Sequence, residues 1–322
     1  MLDNIVRLNI QLTKKCNQRC ISCNSYEMDC SDELPLNGFK KAISEAAALF
    51  PIKNIAFTGG EPTLYPNLLE ISSYASQFSD NVSITTNGYY CTSKEKVKEL
   101  IKAGINRFSF SYHGIGIHDK FTRVDGCEKR LRQAIDWLIE ERCIHKNLYV
   151  KIGTLFTGEN WGGVEEVLSY AESKNIDLYI EMLDDRMPIF ASSSLASVKK
   201  QVDEKKLEEA LLKFRSWKEQ GRNVLIDADG IEFIRRWFLG IPVLSECPLW
   251  KTDLYIESNG NVRTGCWSLG EIGNICEQPL KEIIESPACK KNIGDMIHRR
   301  CNGCTCGYLM QAKYMEKIER DI

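Results

Sequence analysis

The sequence predicts an α/β fold: a partial (βα)6 TIM-like barrel followed by a small cysteine-rich extension. Three observations carry this. The first 190 residues alternate strand-like and helix-like patterns six times. The texture changes after that, first to a charged helical stretch and then, from Cys247, to a turn-rich segment. Eight of the 14 cysteines fall into two groups, one near each end of the chain.

The strand candidates are RLNIQL (7–12), NIAFTGG (54–60), VSITTNG (82–88), RFSFSYHG (107–114), LYVKIGTLFT (148–157) and DLYIEML (177–183). In the first, Leu8, Ile10 and Leu12 alternate with Arg7, Asn9 and Gln11, the pattern of a half-buried strand. Helical patterns lie near 37–50, 66–79, 93–103, 128–142 and 162–174. TSKE at Thr92–Glu95 reads as a capping box, and Gly104 reads as that helix's stop. Successive βα units call for a parallel sheet covered by helices, wound as a barrel or as an open doubly wound sheet. Six units are too few to close eight strands, so a partial barrel is the natural form.

Composition narrows the function classes. The chain has 322 residues, 43% apolar content and a net charge of −2. No basic stripe points to nucleic acid, and no acidic tail is present. There is neither a run of 18 apolar residues nor a signal-peptide pattern, so a soluble cytoplasmic protein is expected, with no membrane partner. Clustered cysteines in such a compartment point to metal or catalysis rather than disulfides. Cys30, Cys91, Cys127, Cys143, Cys276 and Cys289 stand alone and read as small buried hydrophobes. His118, His145 and His298 read as surface or capping residues.

CNQRCISC places Cys16, Cys20 and Cys23 on a loop just after the first strand. Structural zinc and fully ligated [4Fe–4S] clusters take four protein ligands. Three thiolates leave one iron open to a substrate or cofactor. The loop leaves the strand's C-terminal end, where βα folds carry their chemistry. FTGGEPTLYP (57–66) follows the second strand. There Gly59 and Gly60 allow close backbone approach to a ligand, Glu61 offers a carboxylate to an ammonium, and Pro62 opens the next segment.

Over residues 5–190 the chain resembles the radical S-adenosylmethionine (SAM) superfamily, carried by the CX3CX2C signature, GGEPT and the six βα units. TTNG (85–88) and SFSYHG (109–114) sit where that family has strand ends near SAM. The resemblance implies that Cys16, Cys20 and Cys23 hold a [4Fe–4S] cluster whose fourth iron SAM chelates. It implies that Gly59, Gly60, Glu61 and Pro62, with Asn87 and Ser111, bind SAM, Glu61 facing its amino group. It also implies reductive cleavage of SAM to a 5′-deoxyadenosyl radical that abstracts a substrate hydrogen, with a flavodoxin- or ferredoxin-type electron donor. Two positions depart from the family. Ser22 stands where an aromatic residue usually packs near adenine, with Tyr26 as its substitute. His113 stands where Asp is common and is a candidate for contact with SAM or substrate.

Cys247 and Cys266 bracket a segment whose Asn259-Gly260 signals a hairpin, and Cys301, Cys304 and Cys306 form CX2CXC before a last helix. Spacing alone allows zinc as readily as iron–sulfur. The segment resembles the SPASM/twitch extension, the shorter twitch form with one auxiliary [4Fe–4S] cluster fitting better. The implied ligands are Cys247, Cys266, Cys301 and Cys304, with Cys306 as an alternative ligand or a hydrogen-atom donor. Domains are expected at 1–190, 191–246 (a helical connector) and 247–322. Glu181, Asp184 and Asp185, at the end of the sixth strand, are candidates for pairing with substrate ammonium groups. The expected substrate is a small polar natural product, a sugar or aminocyclitol, undergoing oxidation or epimerisation. The alternative is maturation or epimerisation of a ribosomally made peptide. An electron carrier or a zinc-binding regulator is the reading from another class.

Overall fold

The computed structural model describes residues 5–158, 160–182, 202–241, 247, 249–266, 269–298 and 300. Six parallel strands appear where the sequence places them: β1 (Arg7–Thr13), β2 (Asn54–Gly59), β3 (Val82–Thr86), β4 (Arg107–Ser111), β5 (Tyr149–Leu155) and β6 (Asp177–Glu181). Each pairs in parallel with the next. Their helices are α1 (Leu36–Leu49), α2 (Leu68–Ala75), α3 (Lys94–Lys102), α4 (His118–Thr122), α5 (Cys127–Arg142) and α6 (Trp161–Ser173). Alternate strand residues such as Leu8, Ile10, Phe57, Ile84, Phe108, Ile152 and Ile180 are buried beneath the helices. The opposite face carries Arg7, Asn9, Asn54, Thr58, Ser83, Thr85, Arg107, Ser109, Tyr149 and Lys151, which line a cavity of about 110 Å³ inside the barrel. The lumen is therefore polar.

The helix start after β3 differs by one residue from the sequence reading. Ser93, not Thr92, is the N-cap, and its side chain accepts from the Lys96 N–H. Gly104 does stop the chain there, at φ 96°, and a Cβ would stand 2.6 Å from that of Ser76.

β1 departs from the half-buried pattern: all seven residues are buried. The reason is β7 (Asp253–Ile256), which pairs in parallel with β1 on the side away from β2. β8 (Asn261–Arg263) and β9 (Gly273–Asn274) follow antiparallel, giving the sheet order β6-β5-β4-β3-β2-β1-β7-β8-β9. The hairpin at Asn259-Gly260 forms as expected, with Gly260 at φ 90°. The cysteine-rich extension thus continues the barrel's own sheet. Asp253, wholly buried, accepts from Arg7 Nε at 2.6 Å, Arg7 Nη2 at 2.8 Å, Asn9 Nδ2 at 3.0 Å and Thr252 Oγ1 at 2.7 Å. A bidentate Arg–carboxylate pair in a fully hydrogen-bonded setting is the geometry in which a buried charge survives.

The other sheet edge is covered too. Leu225 N–H donates to the Leu178 carbonyl and Leu178 N–H to that of Asn223, beside β6. Two connector helices, α7 (Glu204–Glu219) and α8 (Ala228–Phe238), then pack through Phe214 and Phe238 onto Phe156. Among the described residues no helix is long and apolar enough to cross a membrane.

Candidate active site

The cysteine loop leaves β1 at its C-terminal end and is pinned from three sides. From α4, the carbonyls of Thr122 and Phe121 accept from the N–H groups of Arg19 and Ile21, each at 3.0 Å. From β2, Gly60 N–H donates to the Thr13 carbonyl at 2.8 Å and Glu61 N–H to that of Lys15 at 2.7 Å. From the segment ahead of α1, Glu33 accepts from Thr13 Oγ1 at 2.8 Å and Lys14 N–H at 2.6 Å.

This explains the two glycines. The sequence reading gives them close approach to a bound ligand; in the fold the chain itself also approaches them closely. A Cβ on Gly59 would stand 2.2 Å from the Thr13 carbonyl oxygen, and one on Gly60 2.3 Å from that of Lys15.

Glu61 is 1% exposed. It caps a short 3-10 helix, Pro62–Leu64, with Pro62 at its first position. Its carboxylate accepts from Thr63 N–H at 3.1 Å, Thr63 Oγ1 at 2.6 Å, Thr86 Oγ1 at 2.7 Å and Asn87 N–H at 2.7 Å. Burial pushes this carboxyl up, while the donors from Asn87, Thr63 and Thr86 pull it down. Asn87 then donates from Nδ2 to Asn17 Oδ1 at 2.9 Å. Glu61 thereby ties the ends of β2 and β3 to the cysteine loop.

The three thiols are half-buried and form no disulfide. Burial raises all three, Cys16 to about 12, and mutual repulsion of the sulfurs adds to the rise at Cys16 and Cys20. Gln18 N–H and Ser25 N–H point at the Cys16 and Cys23 sulfurs, each at 3.4 Å. Among the described residues no three such side chains close on a single ion. Sulfurs in electrostatic reach of one another, two of them with N–H donors, suit the corners of an iron–sulfur cluster, where bound iron replaces the proton.

His113 lies just past β4. Its Nδ1 accepts from Leu155 N–H at 3.2 Å, and its ring packs 4.3 Å from Phe121, whose carbonyl holds the cysteine loop. A backbone N–H only donates, so the neutral ring carries its proton on Nε2. Burial pushes His113 down to about 3, the neighbouring His118 adding to the drop. His118, expected as a surface or capping residue, is not on the surface: it is 1% exposed, accepts from His113 N–H on Nδ1, and meets Tyr112 edge-on at 5.2 Å. Ser111 is half-buried at the end of β4. Tyr26 is half-buried, its ring 5.8 Å from the Arg19 guanidinium carbon.

Of the cysteines expected to be buried bystanders, Cys91, Cys127 and Cys289 are, Cys30 is half-buried, and Cys143 and Cys276 are exposed. The last two lie past the end of α5 and after β9, where neighbouring chain does not cover them.

At the second group, Cys247 and Cys266 meet around one small apolar cluster formed by Leu249, Met296, Trp250 and Leu269. Two thiols on an apolar wall fit a buried cluster. Cys301, Cys304, Cys306, Asp184 and Asp185 lie outside the described residues. Glu181 is described: half-buried, at the lumen end of β6. The sequence reading missed Glu33, Asn17, Asp253 and Lys151. Only Lys151 left a trace there, as the lone charge within an otherwise apolar strand.

Residues 10–171, half of the chain, match the radical SAM superfamily, and residues 247–306 match the iron–sulfur cluster-binding domain called SPASM. The chain is 32% identical over 168 residues to a probable GTP 3',8-cyclase of Thermococcus kodakarensis, covering 50% of this chain and 52% of that one. It is 29% identical over 189 residues to the GTP 3',8-cyclase of Clostridium perfringens, 55% of each. The chain thus spans about half the length of the curated relatives it matches. SuiB of Streptococcus suis, bound to S-adenosylmethionine, shares the fold at TM-score 0.68 and 16% identity, over 90% of this chain and 68% of that one. The enzyme anSMEcpe with bound AdoMet does so at TM-score 0.65 and 18% identity, over 91% and 81%. SAM and a [4Fe–4S] cluster are the cofactors of this family, and SPASM binds an auxiliary iron–sulfur cluster. The chain belongs to the radical SAM superfamily, with a SPASM domain at its C-terminal end.

Proposed function

We propose that this radical SAM enzyme oxidises or epimerises a small polar natural product, of the sugar or aminocyclitol class. Cys16, Cys20 and Cys23 hold the catalytic cluster, and Cys247 and Cys266 supply part of an auxiliary one, joined by Cys301 and Cys304 or Cys306. When bound, SAM and the reduced cluster supply a radical strong enough to take an unactivated hydrogen, the electron coming from a flavodoxin- or ferredoxin-type donor. The chain's own residues orient SAM and close the site. Gly59, Gly60, Pro62, Asn87, Ser111 and Tyr26 shape the pocket. Glu61 acts through its hold on Thr63, Thr86 and Asn87, and His113 offers a fixed Nε2–H donor.

The observation that carries the substrate class is the chemistry of the lumen. It is lined with amides, hydroxyls and a few charges, each beside a polar group or an opposite charge. Arg7 is committed to Asp253, and Arg107 donates to Asn81 Oδ1 at 2.8 Å. Lys151 stands in the field of Glu181. A nucleoside triphosphate, the substrate named for the curated relatives, needs several uncommitted cations to neutralise its phosphates. Hydroxyls and amines suit this lining better. A peptide substrate is the second reading, because SuiB, a fold neighbour, has been seen bound to its precursor peptide SuiA.

The test is anaerobic reconstitution, then 5′-deoxyadenosine formation from SAM with glucosamine and other amino sugars, GTP, or a synthetic peptide. Stimulation by amino sugars is expected. Stimulation by GTP alone would replace this reading with a cyclase, and by peptide alone with a peptide maturase.

A further inference from the structure

Two charged side chains in the lumen lack the hydrogen-bond partners, among the described residues, that the other charges there have. Asp177 accepts from Tyr149 Oη at 2.7 Å, Asp253 holds Arg7, and Arg107 has Asn81. Lys151 lines the cavity from the middle of β5, with its ammonium 5.3 Å from the Tyr179 ring centroid. Glu181 ends β6 on the lumen side, since its neighbours Leu178 and Ile180 face the apolar core. Among the described residues neither side chain makes a hydrogen bond, although each feels the other's charge. Buried charges without hydrogen bonds are costly, and an ion pair offsets that cost only when its remaining donors and acceptors are also satisfied.

The strand beside them makes room for this arrangement. Gly153 follows Lys151 by two residues on β5, and a Cβ there would stand 2.3 Å from Glu181 Oε1. Its φ is not in the left-handed region. The glycine thus leaves the space in which the Glu181 carboxylate lies, and an added methyl would push that movable group aside.

We propose that Glu181 and Lys151 are the substrate-recognition pair of the lumen, Glu181 accepting from a substrate ammonium and Lys151 donating to a neighbouring hydroxyl or ring oxygen. This rests on the proposed small polar substrate and narrows it to amino alcohols such as amino sugars. The electrostatics agree. Burial pushes Lys151 down to about 8, opposed by Glu181, and burial pushes the Glu181 carboxyl up, opposed by Lys151. Burial outweighs the partner at both sites, so a substrate ammonium beside Glu181 would favour its ionised form.

The test compares glucosamine with N-acetylglucosamine, which keeps the ring and loses the ammonium. Each is titrated into anaerobically reconstituted protein carrying SAM, followed by calorimetry. Glucosamine is expected to bind about tenfold more tightly, the scale of one charge-assisted hydrogen bond. Gly153→Ala and, separately, Glu181→Gln should erase that preference, with iron content certifying that each variant is folded. Equal affinity in the wild type, or a preference that survives both substitutions, overturns the pair. It would leave the oxidoreductase reading standing on neutral sugars. An amine preference with no amine-dependent 5′-deoxyadenosine would do the reverse, supporting the pair and overturning that reading.

Discussion

The two cysteine groups stand on unlike supports. The loop of Cys16, Cys20 and Cys23 is sewn to β2, α4 and Glu33 by backbone and side-chain hydrogen bonds, so the barrel shapes it as it folds. Cys247 and Cys266 flank β7 and β8, which join the barrel through the β1–β7 pairing, the buried Arg7–Asp253 bridge and hydrogen bonds such as Leu34 N–H to the Ser258 carbonyl and Ser258 N–H to Gln11 Oε1. The first group is therefore held by bonds to the loop itself, the second through strands whose joint to the barrel has, among the described residues, Arg7–Asp253 as its only buried ion pair. Damage near the first should act on one cluster. Damage at the joint should act on the extension and leave the SAM end of the barrel largely formed.

The largest effect is expected from replacing Cys16, Cys20 and Cys23 together by alanine. All 5′-deoxyadenosine formation should vanish while about four irons and four sulfides per chain remain, from the other cluster. Loss of all iron, or zinc in its place, would break the comparison. Gly60→Ala comes next, because its Cβ would meet the Lys15 and Lys14 carbonyl oxygens at 2.3 and 2.4 Å. Most of the catalytic-site iron should be lost and the auxiliary iron kept, as measured on anaerobically reconstituted protein.

Asp253→Asn tests the joint. It leaves Arg7 as a buried cation without its counterion, and stability in urea should fall by about 3 kcal/mol. The auxiliary iron should leave at a lower urea concentration than the catalytic iron; simultaneous loss would show that the joint supports both sites equally. Glu61→Gln is expected to be milder. The two N–H groups on that carboxylate, from Thr63 and Asn87, can only donate, so an amide cannot satisfy both with its single oxygen. SAM affinity should fall about tenfold with both clusters retained, measured by equilibrium binding.

The smallest effect sharpens the first site through pH. His113 and His118 are held down to about 3 and about 4, chiefly by burial. Both should stay neutral at pH 5.5, seen as unprotonated imidazole shifts in NMR. The unfolded chain takes up these two protons near the ordinary histidine value of about 6.5. Stability should therefore be full above that pH and decline below it, by up to about 1.4 kcal/mol per pH unit for each ring. His118→Asn should roughly halve that slope.

Much of this molecule was legible without coordinates. Alternating apolar residues and turn signals located all six barrel strands, because strand period and βα connection length are local properties of the chain. The spacing of Cys16, Cys20 and Cys23 and the GGE turn pointed to the family for the same reason: each motif is one short stretch of chain. A second demand on the glycines was not legible. Gly59 and Gly60 read in sequence as points of ligand approach, and only the packing of β1 against β2 adds that the backbone of residues 13–15 lies where a Cβ would be.

What the sequence determined by itself was the set of elements, the cysteine signature and the chemistry class they imply. The tertiary structure decided which charges are satisfied and which are not. Asp253 meets Arg7 across 246 positions, Asn87 reaches back to Asn17, and Lys151 is left facing Glu181 across neighbouring strands. Such meetings depend on strand register and sheet order, which put residues far apart in the chain at hydrogen-bond distance, and no local periodicity encodes them.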